Sequence, residues 1–171
     1  LIIFGVAAVV YIVFEALRAN HIDRDRLFMQ LVMFFFSMLF WAFFEQAGSS
    51  LTFIADQQTD TNLFGWNMPP SQVPNFNAIF IILFAFPFSW LWVQLGKRDP
   101  IAPVKQAIGL LLMAVGYFIL AQAVDGLSNT AKISIWTLVI MYLFHTWGEL
   151  CLSPIGLSLV SKLSPKRFAS M

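Results

Sequence analysis

The sequence predicts an all-α, polytopic membrane protein, and three observations carry the prediction. The 171 residues are 59% hydrophobic and 16% aromatic but only 11% charged, whereas a soluble domain carries roughly a quarter charged residues. A chain of this length has too few polar groups to cover so much Phe, Leu, Ile and Trp with a surface compatible with water. Apolar runs recur along the chain at close to the roughly 20 residues of helix that a hydrocarbon core about 30 Å thick requires. Finally, Lys and Arg collect in alternate connections between those runs. Strands are excluded because the runs lack the alternation of a membrane barrel, and each satisfies its own backbone only as a helix.

Taken in order, the expected helices cover residues 1–17, 27–56, 73–95, 104–124 and 133–163. Arg18, Arg24 and Arg26 follow the first, Lys97, Arg98 and Lys105 surround the third connection, and Lys162, Lys166 and Arg167 follow the last. The connection over 57–72 has no basic residue and that over 125–132 has only Lys132. Basic loops mark the cytoplasmic side, so the second helix is expected to leave the cytoplasm, the third to return, the fourth to leave and the fifth to return. The chain opens inside an apolar run, at Leu1 rather than Met, and is read as a section of something longer. Cys151 is the sole cysteine. It excludes an intramolecular disulfide and is expected to be a buried thiol.

In the first helix Glu15 lies near the cytoplasmic end, where its carboxylate reaches the interface. On the second, a wheel at about 100° per residue gathers Gln30, Ser37, Glu45, Ser49, Thr52 and Asp56 into one arc of roughly 120°. Such a stripe lines a watery cavity or forms a hydrogen-bond network between helices, and Gly48 offers a place to bend. The third helix carries Asn77, which faces the cavity or caps the helix, as well as Pro87 and the interfacial Trp90 and Trp92. The fourth is almost wholly apolar, with Gly109 and Gly116 spaced for close packing, and reads as scaffold. The fifth aligns Tyr142, His145, Thr146, Glu149, Ser153 and Gly156 on one face, with Pro154 expected to kink it or free a carbonyl near Leu150.

Ionisable groups inside a span cost several kcal/mol, about 2.5–3.5 on insertion scales, unless they face a bundle interior or water. Glu45 and Glu149 are therefore the leading functional candidates. His145 and Glu149, four residues apart, are only two ligands, so no metal is expected. His145 reads instead as a packing or pathway residue. No nucleophile–base motif supports an enzyme; a channel subunit with polar stripes lining a pore is the remaining class outside carriers.

Two motifs sharpen the reading. Phe40-Trp41-Ala42-Phe43-Phe44-Glu45-Gln46 resembles the FWxxFEQ motif of the proton-dependent oligopeptide transporter (POT) family of the major facilitator superfamily. The run from Gly148 through Glu149, Leu150, Cys151, Leu152, Ser153, Pro154, Ile155, Gly156 and Leu157 to Ser158 resembles that family's GELxxSPxGLS motif. The resemblance implies that residues 27–171 are transmembrane helices seven to ten of the C-terminal bundle, truncated before helix eleven, and that 1–26 is a helix of an inserted hairpin with its cytoplasmic connection. It implies symport of di- and tripeptides with protons by alternating access. Glu149 would meet the peptide amino terminus or a lysine of the missing bundle, Ser153 would line the same pocket, Asn77 would contact substrate, and Glu45 would pair with an arginine on the first helix and join proton coupling. The family's proline after Asn77 is Ala78 here.

The expected partners are small peptides, the lipid bilayer, the missing N-terminal six-helix bundle and helices eleven and twelve, with no nucleic acid. No cofactor is expected beyond the coupling proton, and the expected location is the bacterial inner membrane. Another small solute, such as nitrate or a drug, is the alternative cargo, because one scaffold serves many solutes.

Overall fold

A computed structural model describes residues 2–125 and 131–163, with side chains described within 9–125 and 131–152. Six α-helices dominate, and the described residues include four helical stretches long and apolar enough to cross a membrane: His21–Gln57, Pro70–Arg98, Ala102–Val124 and Ile135–Leu152. The all-α membrane architecture follows.

Helix α1 spans Ile2–Arg18 and α2 spans His21–Phe44. The second helix starts before residue 27 because Asn20 caps it: its side chain accepts from the Asp23 backbone N–H at 2.9 Å, meeting one of the donors that a helix start leaves free. Hydrophobicity marked only the part that enters lipid; the charged first turns are helical too.

The expected single helix over 27–56 is broken. Residues Glu45–Gly48 form a 3₁₀ turn, and α3 resumes over Ser50–Gln57. A break strands backbone carbonyls, which hydrocarbon cannot satisfy, and nearby side chains cap them. Gln46 Nε2 donates to the Ala42 carbonyl at 3.2 Å, Tyr117 Oη to that of Phe43 at 2.6 Å, and Thr52 Oγ1 to that of Ala47 at 2.8 Å. Ser50 Oγ in turn donates to Gln46 Oε1 at 2.9 Å.

Beyond α3 the chain makes two minimal strand pairs. Strand β1 (Thr59–Asp60) runs parallel to β4 (Ile133–Ser134), with Thr59 opposite Ile133. Strands β2 (Asn62–Leu63) and β3 (Trp66–Asn67) form a hairpin. Its tip places both Phe64 (φ 52°) and Gly65 (φ 88°) in the left-handed region, the backbone that a two-residue primed turn demands. Asn62 Oδ1 accepts from the Gly65 N–H at 2.9 Å, which helps hold the turn.

Helix α4 (Asn75–Leu95) continues through Pro87 and ends at Gly96, whose φ of 46° suits glycine. Helix α5 covers Ala102–Val124 and α6 covers Ile135–Leu163, running on past Pro154. The expected role of the α5 glycines is met in the packing. A methyl group at Gly109 would meet Leu152 Cδ1 and the Gly148 carbonyl, and one at Gly116 would meet the His145 ring and the Met141 carbonyl. Small residues let the two backbones approach. Around this crossing, Leu51, Ala55, Val73, Leu120, Ile133, Leu138, Met141 and Tyr142 form one buried cluster, and Phe40, Met113 and Leu152 a second.

Candidate functional site

The two elements that place the candidate site are α4 and α6, held side by side by aromatic contacts. Trp147 packs edge-on against Phe84 at 5.5 Å and lies 6.4 Å from Phe88. Near this seam Asn77 reaches across from α4: its Nδ2 donates to Glu149 Oε2 and to Thr146 Oγ1, each at 3.0 Å. Thr146 Oγ1 donates to the Tyr142 carbonyl one turn back at 2.8 Å. Asn77 thus bridges two helices and does not cap its own, whose N-cap position is Pro74.

Glu149 stands about 21 Å of helix beyond Ile135 at 1.5 Å per residue, near the middle of α6, which runs from Ile135 to Leu163. It is half-buried, as is Asn77, whereas Thr146 is fully buried. A carboxylate at that depth keeps its charge only with hydrogen-bond donors or water. Here one donor comes from Asn77, and the partial exposure leaves the rest of the group accessible from outside the described helices. Such an arrangement can accept a cationic donor or a proton.

The face that the sequence treats as one stripe divides. Thr146 and Glu149 turn to α4, while His145 turns to α5 and lies in a ring of side chains: Tyr117 at 4.7 Å between centroids, Tyr142 at 6.3 Å and Phe44 at 6.5 Å. Its position against Gly116 makes it a packing residue of the α5–α6 crossing. Among the described residues no group of His, Cys, Asp and Glu could hold a metal. Cys151 is buried.

Glu45 lies elsewhere. It opens the 3₁₀ turn, is exposed, and makes no side-chain hydrogen bond with Glu149, Asn77 or Thr146 among the described residues. The wheel that grouped it with Gln30 and Asp56 assumed an unbroken helix, and the break resets the phase after Phe44. Lower on α2, Ser37 accepts from Gln106 Nε2 at 2.9 Å, and the same amide donates to the Met33 carbonyl at 2.8 Å. That part of the stripe is a network between helices and not a cavity wall. The Ser153 side chain lies outside the described residues.

Two features were missed at the sequence level. Lys105, assigned only to a basic loop, is buried, pairs with Asp99 at 2.8 Å and sits 4.4 Å above the Trp92 ring. Trp92 is therefore half-buried support for a cation and not simply an interfacial anchor. Thr146 was placed on the polar face but given no role; its spacing of three from Glu149 was the available signal.

The family model described as PTR2, POT family, matches residues 3–171. The chain is 36% identical over 160 residues to "Uncharacterized transporter YclF" of Bacillus subtilis, covering 93% of this chain and 32% of that protein. It is 36% identical over 175 residues to "Peptide transporter YePEPT" of Yersinia enterocolitica, covering 98% and 34%. To the "Di-/tripeptide transporter" of Lactococcus lactis it is 32% identical over 173 residues, covering 96% and 34%. Two solved structures are similar in fold: a peptide transporter POT in complex with sulfate (TM-score 0.83, 35% identity, 99% of this chain and 34% of that one) and a POT family transporter in complex with 5-aminolevulinic acid (TM-score 0.86, 31% identity, 98% and 36%). The chain spans about a third of the length of these relatives.

Proposed function

The chain belongs to the POT family, and from that membership we propose that it forms part of a carrier that moves di- and tripeptides together with protons by alternating access. The carrier needs no cofactor beyond the coupling proton and no nucleic acid, performs no chemistry on its cargo, and sits in the inner membrane of a bacterium. Residues 27–171 are helices seven to ten of its C-terminal bundle, 1–26 belong to an inserted hairpin, and an N-terminal six-helix bundle and helices eleven and twelve complete it.

One observation carries the proposal: a half-buried carboxylate, Glu149, is held near the middle of α6 by Asn77 from a neighbouring helix. In this reading Glu149 receives the peptide's amino terminus or, when empty, a lysine of the other bundle. Exchange between such partners lets a carboxylate take up or release a proton, because desolvation favours its neutral form and a nearby cation its charged form. Asn77 holds the carboxylate in register, and the family motif assigns Ser153, four residues on in the sequence, to the same pocket. Glu45, exposed at the helix break, pairs with an arginine of the first bundle and takes part in coupling. Discontinuous helices beside binding groups are a recurring construction in transporters.

The test is uptake of a labelled dipeptide by the full-length parent protein in liposomes, with and without an inward proton gradient, in wild type and Glu149→Gln. Wild type is expected to accumulate peptide only with the gradient, and the variant to lose that accumulation. Accumulation at the wild-type level in Glu149→Gln would remove Glu149 from the mechanism.

A further inference from the structure

An asparagine amide has two ends of opposite polarity, and either can face a hydroxyl or a carboxyl group, because each of these both donates and accepts in some state. At the seam between α4 and α6 that freedom is gone. The single hydrogen of Thr146 Oγ1 is committed to the Tyr142 carbonyl at 2.8 Å, an oxygen that only accepts. What Thr146 offers Asn77 is a lone pair, so the end of the amide lying 3.0 Å away must be Nδ2. The same nitrogen donates to Glu149 Oε2. Turned over, Asn77 would set Oδ1 against a fully buried oxygen with no hydrogen to give, and two facing acceptors in a buried site repel.

We infer that Thr146 is a positioning residue: its committed hydroxyl fixes the direction of the Asn77 amide and thereby leaves acceptors, Asn77 Oδ1 and Glu149 Oε1, as the free ends of the pair. Among the described residues neither oxygen accepts a hydrogen bond from another side chain. Two free acceptors suit a primary ammonium, which carries donors only. The inference rests on the reading of Glu149 and Asn77 as substrate-facing groups and adds the residue that sets their polarity.

The experiment measures, in the full-length protein in liposomes, how well an unlabelled dipeptide and its N-acetylated analogue compete with a labelled dipeptide. The ratio of their half-inhibitory concentrations reports preference for the free amine. Thr146→Val keeps the shape and removes the hydroxyl, and the preference is expected to fall about tenfold, the worth of one well-placed hydrogen bond. Thr146→Ser restores the hydroxyl and is expected to recover most of the preference. Thr146→Ala is measured alongside, so that poor folding of the Val variant does not decide the matter. A purely structural role would lower the amount of active carrier and leave the ratio unmoved. A wild-type ratio in both Thr146→Val and Thr146→Ala overturns the inference while leaving the substrate reading intact. A wild type that does not distinguish the two competitors overturns both.

Discussion

A methyl group on Gly148 would lie 2.7 Å from the Gly109 carbonyl oxygen and 3.2 Å from the Phe40 ring. The backbone oxygen cannot swing aside, so α5 and α6 would have to part. Gly148→Ala is expected to destabilise the parent protein by about 1–3 kcal/mol, the usual cost of overpacking, read as a lowered midpoint of thermal unfolding in detergent. Gly48→Ala meets nothing within 4 Å and is expected to stay within about 0.5 kcal/mol of wild type. Equal midpoints for the two variants would contradict the packing described. Both glycines look alike in sequence, and only the tertiary crossing separates them. The spacing of Gly109 and Gly116 did disclose a packing face, but nothing local to Gly148 disclosed that it is the other half. Asn77 behaves likewise: three residues into a helix, it is compatible with capping, and the decisive partner, Glu149, is 72 positions away.

At the scale of elements, the break between α2 and α3 depends on side chains that take over stranded carbonyls. Tyr117 is the one that reaches from another helix, bonding the Phe43 carbonyl at 2.6 Å, and its ring also packs edge-on to Phe43 at 6.1 Å. Tyr117→Phe keeps the ring and leaves that carbonyl without the bond, which should cost about 1 kcal/mol, again by thermal midpoint. No measurable change would mean that the carbonyl finds another donor. The order and rough placement of the spans were legible in the sequence because apolar runs of a given length have one use in a bilayer. Breaks were not. Pro87 lies inside a continuous α4, since in a span neighbouring groups can re-satisfy what a proline frees. The true interruption falls at Glu45–Gly48, where no proline stands. Gly48 was one signal, and the dense polar group Gln46, Ser49, Ser50 and Thr52, which bonds within itself and to nearby carbonyls, was another.

For the whole molecule, the apolar surface left outward is extensive: Ile82, Phe86 and Val93 on α4 are 80%, 78% and 75% exposed. In a bilayer such a face meets acyl chains or other helices of the parent protein at no cost, so high exposure there is the expected state. The polar pair at the α4–α6 seam, like Glu45 at the break, is something that a bilayer does not tolerate without water or a partner. The cost of an acid inside an apolar run made Glu149 and Glu45 visible before the motifs did, yet they appeared as one stripe-and-cavity system; the folded chain sets Glu149 against Asn77 and leaves Glu45 exposed at the break. The proposed carrier requires Glu149 to face an aqueous hollow that cargo fills. Its most direct test is modification of the full-length protein in liposomes by a water-soluble carbodiimide, with labelled carboxyl groups located by mass spectrometry. Glu149 is predicted to be modified, and a saturating dipeptide to slow that modification severalfold. Reaction of Glu149 only with a lipid-soluble carbodiimide, at a rate indifferent to peptide, would place the carboxyl group against acyl chains and contradict the account.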